Sequence, residues 1–63
     1  MCLAKVYLKE KGERELLLES VAFIEIEDRR LFLSTVFGDQ KEIEAGIKEI
    51  DFQNSSIILE RMD

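Results

Sequence analysis

Apolar and polar positions alternate from Cys2 to Lys9: Cys2, Ala4, Val6 and Leu8 share one face, and Leu3, Lys5, Tyr7 and Lys9 the other. A period of two with β-branched and aromatic content predicts a strand. Lys11-Gly12-Glu13 then reads as a turn, with Gly12 free to take positive φ. A long second strand is predicted from about Leu16 to Glu27, with Ile24 and Ile26 inward and Glu25 and Glu27 outward. Ser20 and Ala22 continue the inward parity, and such small residues let a strand bend tightly. Asp28-Arg29 connects it as a hairpin to a third strand, Leu31 to Val36, and Phe37-Gly38-Asp39-Gln40 is the next turn.

Local signals conflict over residues 41–50. Asp39 with Glu42 resembles a helix N-cap and its capping-box partner, and Ile43, Ile47 and Ile50 recur at helical spacing. Gly46 opposes a helix by about 1 kcal/mol, and in a strand it marks a bulge that shifts apolar parity between Ile47 and Ile50. Both readings stand at this level. Asp51 to Ser55 is a turn, and Ser56 to Met62 is a last strand of strong β-formers. Four to five short strands with brief turns predict an all-β fold. The expected form is a small, strongly bent barrel or sandwich-like sheet in the size class of SH3, Sm and OB folds.

With no proline, low-complexity tract or internal repeat, residues 1–63 are expected to form a single domain. A chain of 63 residues buries about 60% of its unfolded surface and is marginal without disulfides, a structural metal or oligomerisation. One cysteine and no histidine exclude an intrachain disulfide and an ordinary zinc site, so oligomerisation is the aid left over. Leu16-Leu17-Leu18, Phe23-Ile24 and Ile57-Ile58-Leu59 supply more apolar residues than one barrel face needs, and a homodimer is the simplest use of the surplus. The net charge of −5, with cations dispersed among fourteen acids, argues against a nucleic-acid partner. No apolar run reaches the roughly 18 residues of a membrane span. Lys5 and Lys9 interrupt any signal-peptide core. The expected location is the cytoplasm, where a lone thiol stays reduced.

The chemistry concentrates at the N-terminus. The Met1 α-amine, the Cys2 amide nitrogen and the Cys2 thiolate close two five-membered chelate rings around one metal. This planar donor set suits Ni(II) or Cu(II) better than tetrahedral Zn(II). If Met1 is removed, Cys2 alone offers amine and thiolate, two donors per chain and four per dimer. The plainer reading makes Cys2 a small hydrophobe continuing the face of Ala4, Val6 and Leu8. Glu25, Glu27, Asp28, Glu42 and Glu44 are spaced as a solvated acidic strand face, with docking to a basic surface as the functional alternative. Tyr7 and the four phenylalanines read as core or interface, and Gly12, Gly38 and Gly46 as isolated turn or bulge residues. No histidine base, nucleophile setting or phosphate loop supports an enzyme.

Met1-Cys2-Leu3-Ala4-Lys5-Val6, Val36-Phe37-Gly38, the run from Gly46 to Phe52 and Ile57-Ile58-Leu59-Glu60 together resemble the CooT family of carbon monoxide dehydrogenase accessory proteins. The resemblance covers nearly the whole chain. It implies a small, all-β, homodimeric Ni(II)-binding protein whose metal ligand is the cysteine after the initiator Met, here Cys2; the Met1 amine is the co-ligand expected from the chelate geometry above. The implied role is nickel supply during maturation of carbon monoxide dehydrogenase, with that enzyme or its maturation factors as partners. It also favours the bulged strand for residues 41–50. HypC, the iron-handling hydrogenase maturation chaperone, shares the Met-Cys start but typically has an early proline and a functional histidine, both missing here. RNA binding on a small Sm-like barrel is the remaining alternative, opposed by the acidic balance.

Overall fold

The computed structural model describes residues 3–61, so Met1, Cys2, Met62 and Asp63 lie outside the described residues. Five strands follow in chain order: β1 Ala4–Glu10, β2 Glu13–Glu27, β3 Arg30–Thr35, β4 Gln40–Asp51 and β5 Ser56–Arg61. Each pairs with the next in antiparallel fashion, and the sheet closes into a barrel. With an odd number of alternating strands the first and last run in the same direction. Closure is therefore parallel, from Lys5↔Ser56 to Lys9↔Glu60. The expected all-β barrel is what the chain forms.

Residues 41–50 are strand. Gln40 to Glu44 pair with β3, and Ala45 to Asp51 with β5. These ladder partners satisfy the backbone on two neighbours in turn, which outweighs the N-cap signal at Asp39. Ile43, Ala45 and Ile47 face the core. The parity shift before Ile50 is real, but the irregularity falls between Ile47 and Glu49 rather than at Gly46.

β2 is the strand that bends the barrel. Its pairing with β1 slips between Ala4 and Val6 and again between Val6 and Tyr7, and its pairing with β3 slips between Val21 and Phe23. Ser20 sits inside this stretch at a positive φ of 59°. The expected bend is there, but the parity is not: Val21 enters the core, while Ala22 is exposed. The slips also let Leu17 and Leu18, adjacent in sequence, both pack against the core. Part of the apolar surplus is thus absorbed inside one chain. Ile26, expected inward with Ile24, is largely exposed, because β2 at that point has run past the start of β1 and overhangs the barrel's open end.

The core comprises Val6, Leu8, Val21, Leu31, Leu33, Ala45 and Leu59. β1 and β2 meet through Lys11 and Gly12, both at positive φ (53° and 83°), as a two-residue turn compatible with strand twist requires. Among the described residues three ion pairs, Arg61–Glu10 at 2.8 Å and Lys48–Glu60 and Arg30–Glu42 at 3.4 Å, lie on the surface and contribute little.

The turn after β4 is organised by Asp51. Its Oδ1 accepts from the amides of Gln53 (3.0 Å) and Asn54 (3.1 Å), and its Oδ2 accepts from Asn54 Nδ2 (2.7 Å). The Asn54 side chain foremost, then the Asn54 and Gln53 amides, hold the Asp51 carboxyl below its ordinary value against an opposing desolvation. A lowered folded-state pKa gives a contribution that is complete above the ordinary carboxylate range and lost as pH falls through the lowered value. In an NMR titration, the Gln53 and Asn54 amide resonances should move with a midpoint below that of an ordinary aspartate. An ordinary midpoint would mean that these hydrogen bonds do not hold in solution.

Candidate functional site

The place where the ladders stop determines where the molecule is open. β1 begins at Ala4, opposite Val21, so β2 from Phe23 to Glu27 has β3 on one side and no further strand among the described residues on the other. β4 beyond Glu44 likewise has only β5. Between these two runs lies a groove of about 550 Å³. Ile24, Ile47 and Ile57 form its floor, packed against the core. Its rim carries Phe23, Ile26, Ile50 and Phe52, exposed by 58, 63, 48 and 87% respectively. Scattered apolar residues on a surface are ordinary, but a contiguous set marks an interaction face.

Ala4 lines this groove, and its neighbour Leu3 lines a more polar cleft on the other side with Lys5, Tyr7, Arg14, Glu49 and Asp51. The chain therefore enters the barrel between two concave surfaces, one apolar and one charged.

The metal ligands expected from the sequence, Cys2 and Met1, lie outside the described residues. Among the described residues no three or more His, Cys, Asp or Glu side chains come together in a way that could hold a metal. The carboxylates read as a solvated face are one: Glu25, Glu27, Asp28, Glu42 and Glu44 are all exposed. Glu42 answers Arg30 across the ladder. Of the aromatic residues, Tyr7 and Phe32 are half-buried, whereas Phe23, Phe37 and Phe52 are exposed. The sequence signalled a second apolar surface through its surplus of hydrophobic residues, but no local feature said which of them would stand at the open end.

No described helix is long and apolar enough to cross a membrane. A search of curated proteins finds no match. Among solved structures, a crystal structure from Carboxydothermus hydrogenoformans assigned as CooT matches with a TM-score of 0.91 and 34% identity, covering 98% of this chain and 100% of that one. The family profile described as CO dehydrogenase accessory protein CooT matches residues 1–60, the Met1-Cys2 start included. The chain belongs to the CooT family of CO dehydrogenase accessory proteins.

Proposed function

We propose that this protein is a cytoplasmic nickel carrier rather than a catalyst, working as a homodimer that supplies Ni(II) for maturation of CO dehydrogenase. The observation that carries the reading is the family match over residues 1–60 in a chain whose only cysteine is residue 2 and which has no histidine. Nickel is cargo here. The Cys2 thiolate is the donor that holds it, with the Met1 amine and the intervening amide nitrogen completing a planar set suited to a d⁸ ion. Both the thiol and the amide must lose a proton to bind, so acid should release the metal.

The apolar groove gives the homodimer a surface. Ala4, two residues after Cys2 in the sequence, lines this groove. A second copy covering the groove brings two N-termini together, and the partner's thiolate then takes the fourth position of the plane around one ion. Ligands at a chain end are accessible to an incoming donor, which favours release by ligand exchange over release by unfolding.

Transfer is the direct test. Nickel-loaded protein mixed with apo-CO dehydrogenase and its maturation components, in the presence of a chelator that captures free Ni(II), should activate the enzyme. The same nickel without the protein should not. Equal activation in both mixtures would remove the carrier role.

A further inference from the structure

Val36 to Asp39 join β3 to β4, and every backbone N–H from Thr35 to Asp39 donates a hydrogen bond there. Thr35 donates to the Asp39 carbonyl (2.9 Å), Val36 to the Ser20 carbonyl (3.0 Å) and Gly38 to the Thr35 carbonyl (3.1 Å). Phe37 and Asp39 both donate to Thr35 Oγ1, at 3.2 and 3.1 Å. Thr35 itself is buried, only 8% exposed. Gly38 takes a φ of 96°, the left-handed residue that closes a three-residue hairpin loop. The result is a braced tip that holds Phe37 80% and Val36 52% exposed.

Nothing in the turn requires apolar side chains at these two positions: the bracing groups are backbone amides, Thr35 and Gly38. Neither Val36 nor Phe37 lines the apolar groove. An aromatic side chain presented on a loop that is already ordered binds without paying again for its ordering. Buried aromatic anchors of this kind dominate protein–protein interfaces. Exposed Asp39 follows the tip in sequence, and exposed Glu19 adjoins the Ser20 carbonyl that holds it.

We propose that the Val36-Phe37 tip is the docking anchor for the client protein, inserting Phe37 into an apolar socket flanked by cationic groups that meet Glu19 and Asp39. This rests on the accessory-protein reading, which names the client as CO dehydrogenase, and it goes beyond that reading by naming the contact surface.

The test measures binding of the full chain to purified apo-CO dehydrogenase by biolayer interferometry. It compares the parent, Phe37→Ser and, as a control at an exposed apolar residue outside both the tip and the groove, Leu16→Ser. Phe37→Ser should keep the parent's thermal unfolding, mass in solution and nickel binding, yet bind the client at least tenfold more weakly. Leu16→Ser should bind as the parent does. Client binding by Phe37→Ser equal to the parent's would overturn the proposal. So would a fall in its mass in solution, which would assign the tip to a contact between copies. A parent that does not bind the client at all would overturn the accessory reading itself, and the docking proposal with it.

Discussion

Cys2→Ser should abolish saturable Ni(II) binding, with the thiolate-to-nickel absorption bands of the parent missing altogether in the variant. The chain has one cysteine and no histidine, so no second thiolate and no imidazole donor exists to take over. A serine hydroxyl stays protonated near neutrality and cannot replace a thiolate. The carboxylates that remain are hard oxygen donors, and among the described residues they form no cluster able to hold a metal. The substitution lies ahead of β1, so the barrel should unfold at the parent's temperature. The parent should also lose nickel in acid, since protons compete for a thiol whose free pKa is about 8.5. Nickel binding that survives in Cys2→Ser would return Cys2 to the role of a small hydrophobe.

Ile26→Glu should convert the proposed dimer to a monomer, halving the mass measured by sedimentation equilibrium to the 7.4 kDa of one chain. Ile26 is largely exposed on the groove's rim and makes no part of the buried core, so the single barrel should tolerate the change. Across a two-fold axis, however, the variant would bury a carboxylate on each copy against the apolar floor of Ile24, Ile47 and Ile57. An unpaired buried charge costs several kcal/mol, enough to dissociate an interface of ordinary size. Phe52→Glu, at the opposite side of the same groove, should do likewise. The parent's mass in both variants would mean that a different face joins the copies.

The two substitutions act on separate links of the same argument, and the sequence announced them unequally. Cys2 stood out because it is chemically alone in the chain, a fact independent of any fold. Ile26 did not, because its alternation with Glu25 and Glu27 is that of a core-facing strand residue. What exposes it is the starting point of β1 at Ala4, a pairing between segments far apart in sequence. The same holds for β2 as a whole: its bend was legible from Ser20 and Ala22, but its start at Glu13 rather than about Leu16, and the slips that put Val21 inside, leave no residue signature. Turns were read best, since Gly12 and the Asp28-Arg29 pair carry their conformations in their chemistry. Residues 41–50 show the limit of local reasoning. Asp39, Glu42 and three isoleucines offered a helix, and the partners that made it a strand, β3 and β5, lie outside any local window. The braced tip at Phe37 is a third case. Its turn was legible from Gly38, but the role of Thr35, buried beneath it and accepting two amides, was not.

Nickel carriage by paired chain ends rests most heavily on stoichiometry. The parent protein, titrated with Ni(II) and followed by native mass spectrometry, should saturate at one ion per two chains, with no nickel-bearing monomer at any point in the titration. Failure to saturate, or a stable ion on each separate chain, would contradict a shared site at the dimer axis and with it the central reading of this molecule.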